Sequence, residues 1–178
     1  MRLRIGALTG QAPVRCESEF TASPATMLKV LTRIDDIRNW FPLPFDVIGE
    51  HDGELRVGKV LCARGRLAGK TVNASWELLE SSEKHVHVRL SGPITFGVDM
   101  HLKPHGRGGC AATADVYCSG NGVSGHVLAT AAHAIVANGG WTLAVERIRK
   151  QAEVLSQPAP AKPHRQGKLV PSAVLSAQ

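Results

Sequence analysis

From Val14 to Thr21 the chain alternates. Val14, Cys16, Ser18 and Phe20 fall on one side, and Arg15, Glu17, Glu19 and Thr21 on the other. Such alternation predicts a half-buried strand, because successive side chains of a strand point to opposite faces. The period then changes. Ser23-Pro24 opens a helix, with serine as the cap and proline at the first helical position, where its missing N–H costs nothing. Met27, Val30 and Leu31 supply the apolar face. A second short helix is predicted from Ile34 to Trp40. Phe41-Pro42-Leu43-Pro44 ends it, since proline cannot continue a helix.

From Phe45 to Ser119 the period is two. Val47-Ile48 lies in a short strand and Asp52-Gly53 marks a turn. Val60 to Arg66 is the next strand, with a turn at Ala68-Gly69. Val72, Ala74, Trp76 and Leu78 alternate with Thr71, Asn73, Ser75 and Glu77. Val86, Val88 and Leu90 alternate with His85, His87 and Arg89. Ile94, Phe96, Val98, Met100 and Leu102 alternate with Thr95, Asp99, His101 and Lys103. After a glycine-rich turn at Gly106 to Gly109, Cys110, Ala112, Ala114, Val116 and Cys118 form the last apolar face, against Thr113, Asp115 and Tyr117. Strands with one apolar and one polar face belong to an antiparallel sheet covered on one side. The only segment long enough to cover it runs from about Ser124 to Leu155. There Ala131, Ile135, Asn138, Trp141, Val145, Ile148 and Ala152 make one stripe. Gly139 and Gly140 interrupt it, each costing about 1 kcal/mol relative to alanine in a helix. They predict a kink or a close approach.

The predicted fold is therefore α+β: a curved antiparallel sheet of about seven strands wrapped round a long C-terminal helix, with two short helices after the first strand. Small residues on the inner strand faces (Ala74, Cys110, Ala112, Ala114, Cys118) oppose an Ala- and Gly-rich helix. Small against small under-fills the space, which predicts an apolar cavity. Its expected lining is Trp76, Phe96, Met100, Ala112 and Ala114 from the sheet, and Ile135, Asn138 and Trp141 from the helix. In the opposing reading, Trp76, Trp141, Phe96 and Met100 fill that space. Asn138, on a buried stripe, would either orient a ligand or bond to backbone or water.

Composition narrows the partners. The chain has 178 residues, enough for one domain. Its net charge of +6 belongs to the ends. Residues 1–12 and 157–178 carry basic groups and no acid, while 13–156 holds 16 basic and 15 acidic residues. The reading is an N-terminal segment (1–12), a domain (13–156) and a flexible basic Pro/Ala-rich tail (157–178). A nearly neutral body gives no field to steer a polyanion. Arg64, Arg66 and Lys70 cluster at one turn, but lack interleaved aromatics. No nucleic-acid partner is expected. Val127 to Val145 is the only stretch near membrane-spanning length, and it holds His133, Asn138 and the two glycines. A buried helix fits it better than a span. No signal peptide is read in Met1 to Ala12. The four cysteines show no C-x-x-C spacing, so they are expected as thiols of a cytoplasmic protein. The pattern is silent on oligomeric state.

Over 14–156 this order of elements resembles the SRPBCC superfamily, also called START-like or helix-grip proteins. Local stretches carry the likeness: FTASPATMLKVLTRIDDIRNW, LAGKTVNASWELLES, VHVRLSGPITFGVDMHLKP and LAVERIRKQAE. The resemblance implies a seven-stranded antiparallel sheet gripping the C-terminal helix, and a hydrophobic molecule in the cavity between them. It brings no catalytic residue with it.

The chemistry-bearing residues are few. No G-x-S-x-G, H-E-x-x-H or phosphate-loop spacing occurs, and no cofactor is expected. His85 and His87 stand two apart on one strand, a spacing able to hold a metal. Their polar face marks them as exposed, so no metal site is assigned. Asp99 and Asp115 also fall outside. An acid–base enzyme usually needs a perturbed titratable group in its cleft. Binding of a lipid- or polyketide-like small molecule is therefore favoured. The alternatives are a polyketide cyclase or dehydrase using a cavity His or Asp, and an assembly factor using the fold as an interaction surface.

Overall fold

The structure, a computed structural model of the chain, describes residues 12–67 and 69–156. Most of the expected N-terminal segment, Ala68 of the expected turn and the tail from 157 lie outside the described residues. The first strand, β1, spans Val14–Phe20. Helix α1 follows at Pro24–Thr32, with Ser23 Oγ accepting from the Thr26 N–H at 3.2 Å. Helix α2 spans Ile34–Trp40. The Trp40 indole N–H donates to the Val30 carbonyl at 3.1 Å, which fixes α2 against α1.

Six strands come next: β2 Phe45–Ile48, β3 Val60–Leu67, β4 Lys70–Ser82, β5 His85–Ser91, β6 Ile94–His105 and β7 Gly109–Gly120. They form one seven-stranded sheet in the order β1-β7-β6-β5-β4-β3-β2, with every pair antiparallel. Each hairpin neighbour follows in sequence except β1, which crosses over to pair with β7. The β6–β7 turn needs left-handed backbone at Gly106 (φ 58°) and Gly108 (φ 89°), which glycine adopts without steric cost.

The C-terminal cover is a long helix broken in the middle. Helix α3 spans Gly122–Ile135, a break spans Val136–Gly140, and α4 spans Trp141–Ser156. Gly139 takes φ 98°, and Asn138 also leaves the helical region at φ −96°, ψ 30°. This is the kink that the paired glycines predict. It also changes the phase of the helix. In α4 the buried residues are Ala144, Val145, Ile148 and Ala152, of which the last three lie on the expected stripe. In α3 they are Gly125, Leu128, Ala129 and Ala132, so Ala132 replaces the expected Ala131. The backbone leaves the helical path at Asn138 and Gly139, so a stripe counted straight through the break loses its phase.

One face of the sheet carries the core. Leu78, Leu102, Cys110, Val116 and Ile148 are all but inaccessible. Where β7 meets α3 the backbones nearly touch. A Cβ on Gly120 would collide with the Gly125 carbonyl, and one on Gly125 would lie 2.5 Å from the Pro93 oxygen. No helix of the described residues is long and apolar enough to cross a membrane.

Candidate ligand cavity

An apolar hollow of about 70 Å³ lies between the β3–β6 part of the sheet and the end of α3. Val72, Ala74, Trp76, Leu90, Ile94 and Phe96 line it from the sheet, and Ala132, Ile135 and Val136 from the helix. Its third wall is the chain from Phe41 to Phe45. The proline pair stops α2, and the chain bends through this segment with Phe41 buried. Phe41 is 8% exposed, and its ring centroid stands 5.2 Å from that of Trp76 and 5.8 Å from that of Phe96. Phe45 lies 4.9 Å from Trp76. Offset and edge-on aromatic pairs of this kind contribute about 0.5–1.5 kcal/mol each beyond their buried area.

A second hollow, of about 20 Å³, lies deeper, lined by Leu31, Val86, Met100 and Trp141 among others. Phe41, Trp76, Leu90 and Phe96 line both spaces. Their side chains thus act as a partition. Both spaces are small against the roughly 300–1,000 Å³ of a formed ligand site. The aromatic side chains fill part of the gap and leave part of it open.

Of the expected lining, Trp76, Phe96 and Ile135 border the larger hollow, and Trp76, Phe96, Met100 and Trp141 the smaller one. Ala112 and Ala114 are buried, 5% and 1% exposed, but border neither. The small residues of β7 let α3 approach instead of leaving a gap. Asn138 is exposed, and its amide donates to the Ala134 carbonyl at 2.7 Å. It sits in a shallow outer groove with Gly139, Gly140 and Leu143. The helix break turned it away from the sheet. The Phe41–Phe45 wall is the part that sequence reasoning missed. Its signal was present, two phenylalanines and a leucine among the prolines, but proline served there only as a helix stop.

Among the described residues no carboxylate, histidine or cysteine lines either hollow, and the one charged residue at the larger one is the exposed Arg66. Two polar atoms stand out against this apolar wall. The indole Nε1 atoms of Trp76 and Trp141 are buried and have no hydrogen-bond partner among the described residues. Leaving such a donor unpaired costs about 1–3 kcal/mol.

No family model matches the chain, and no curated protein matches it in sequence. Solved structures do match in shape. A START superfamily protein from Mycobacterium smegmatis aligns with a TM-score of 0.58 at 13% identity, over 82% of this chain and 100% of that one. A protein from Chromobacterium violaceum gives 0.58 at 14%, over 80% and 97%. Ara h 8.0201 gives 0.54 at 14%, over 80% and 97%. Identities this low speak to architecture alone. The sheet order, the paired short helices after β1 and the C-terminal helix in its grip give this chain the START-like, helix-grip fold.

Proposed function

We propose that this protein binds a hydrophobic or amphipathic small molecule, lipid- or polyketide-like, in the space between the sheet and the C-terminal helix. The observation that carries this reading is the divided apolar hollow. A core under selection for stability alone tends to close such spaces, since interiors reach crystal-like density. Here the partition is made of side chains, and rotation of Phe41 or Trp76 would join the two spaces. The Phe41–Phe45 segment borders the larger hollow, and so does Val136, the first residue of the break at Val136–Gly140. They are the natural places for it to open. The unpartnered indole N–H groups favour a ligand with at least one acceptor oxygen, hence an amphipathic molecule over a pure hydrocarbon.

An apolar lining with no acid, histidine or thiol among the described residues favours binding over acid–base catalysis. The cysteines stand as free thiols, in keeping with a cytoplasmic protein. The test is a titration of the purified chain with 1-anilinonaphthalene-8-sulfonate and with long-chain fatty acids, read by fluorescence and native mass spectrometry. Saturable one-to-one binding that Ala132→Phe abolishes is the expected result. Absence of saturable binding by every probe, together with no carried-over ligand in the native spectrum, would sink the reading. Conversion of a bound polyketide would move the protein to the cyclase class.

A further inference from the structure

The outer face of the sheet holds a second constellation, on the opposite side of β5 and β6 from the cavity lining. His85 on β5 lies directly across from His101 on β6, and His87 across from Asp99. Four chemistry-bearing side chains therefore occupy the corners of one square on the same face. The His85 and His101 rings stack, with centroids 4.5 Å apart and planes within 9°. Both present Nε2 to a single carboxylate oxygen, Asp99 Oδ1, at 2.6 Å and 3.6 Å. The ligand atoms of His85, Asp99 and His101 all lie within 4.8 Å of one another.

A fourth residue is placed by an irregularity of the sheet. The β4–β5 register shifts between Leu78 and Glu80. Strict alternation would turn Leu79 outward at this point. The bulge instead puts Glu80 across from His87, on the outer face, and its Oε1 meets His85 Nδ1 at 2.8 Å. Bulges commonly re-aim a side chain next to a site. A carboxylate on one imidazole nitrogen fixes the tautomer and leaves the other nitrogen to a metal ion. His87 is held apart by Tyr117, whose hydroxyl lies 3.0 Å from its Nε2.

An ion pair alone would explain His85 between Glu80 and Asp99. It leaves His101 unexplained. That ring is 58% exposed at its side chain and too far from Asp99 for a hydrogen bond, yet it lies parallel to His85 with its Nε2 turned to the same oxygen. Convergence of two imidazole nitrogens and one carboxylate is the donor set of a cation. With bonds of about 2.0–2.1 Å, neighbouring ligand atoms in a tetrahedral shell stand about 3.3 Å apart. The two distances to Asp99 straddle that separation.

We propose that His85 Nε2, Asp99 and His101 Nε2 bind a divalent transition-metal ion of the zinc class on the outer face of the sheet, with Glu80 orienting His85. Two imidazoles and one carboxylate suit zinc, nickel or copper, whereas magnesium and calcium take all-oxygen shells. Binding replaces the proton shared by His85 and Asp99 and leaves a coordination position open to solvent. This site does not depend on the cavity.

The test is calorimetric titration of the metal-stripped full chain with zinc, nickel and magnesium at neutral pH. One zinc ion per chain is expected, with magnesium at least about tenfold weaker. His101→Ala and Asp99→Asn remove a ligand and should each weaken zinc by about tenfold or more. Glu80→Gln should cost about 10–100-fold, the usual effect of losing an orienting carboxylate. Circular dichroism confirms that each variant is folded, and exposed His101 makes its variant the decisive one. Equal zinc affinity in the parent and His101→Ala overturns the proposal, because the ion would then sit elsewhere. So does zinc binding no tighter than magnesium.

Discussion

Ala114 and Ala132 are both buried alanines on the inner surfaces, and they have opposite surroundings. Ala114 is 1% exposed and borders neither hollow, whereas Ala132 borders the larger one. Ala114→Leu should therefore cost about 1–3 kcal/mol by overpacking. Ala132→Leu should leave stability nearly unchanged and reduce probe binding. Thermal melts of the two variants, each with a dye titration, compare them directly. Thiol reactivity gives a second check at this scale. Burial pushes the Cys118 thiol up to about 12 and raises that of Cys110, while Cys62 is exposed. Only the thiolate is nucleophilic, and a raised pKa keeps it protonated. At pH 8 an aromatic disulfide reagent should label Cys62 first, and Cys110 and Cys118 only after unfolding. Fast labelling of Cys118 in the folded protein would mean that the sheet opens readily. Which strand residues face inward was legible from alternation wherever the register runs unbroken, because period two then leaves no freedom. Which inner alanines border a space was not, because that depends on how closely a distant helix approaches.

The helix break decides the element scale. Gly139 has φ 98°, with no atom within 4 Å of where a Cβ would stand. Gly139→Ala thus meets no clash, only the left-handed backbone penalty of about 1–2 kcal/mol. Gly140→Ala places a Cβ 2.6 Å from the Ile135 carbonyl oxygen, so it should destabilise at least as much by pushing on the turn. Chemical denaturation of both variants measures this. A gain in stability from either would mean that the chain prefers an unbroken helix. The glycine pair made the interruption legible. The change of phase across it did not show, and a stripe counted at 3–4 spacing ran straight through it. That is why Val145, Ile148 and Ala152 fall as expected while Ala131 and Asn138 do not. The same limit applies to the bulge after Leu78. Alternation cannot announce the residue at which it will slip, so Glu80 could not be placed beside His85 in advance.

For the molecule as a whole, the cavity must enlarge to hold a ligand of ordinary size, and the two segments that flank it are irregular. Amide exchange should be fast at Phe41–Phe45 and Val136–Gly140 relative to β6 and β7, and should slow on ligand binding. Uniform protection, unchanged by ligand, would point to a rigid hollow. The architecture was legible because the period shifts from two to 3.6 and back in an order that few folds share. The hollow's size was not, since it rests on aromatic rings whose contacts join Phe41, Trp76 and Phe96 across distant parts of the chain. One further consequence follows from the crossover of β1 to β7, with Val14 opposite Val116. The ribosome delivers β1 first among the strands and its partner last. At about 5–20 residues per second, β1 waits about 5–20 s for the edge it must join. Until then the other strands can zip up as sequential hairpins, each closing a short loop. Docking of β1 closes the longest loop and should come late on the folding path. Phe20→Leu, on β1, should then speed unfolding and leave the refolding rate nearly untouched. In a stopped-flow chevron the refolding arms of parent and variant would overlay, and β1 would be the strand that a nascent chain holds exposed the longest.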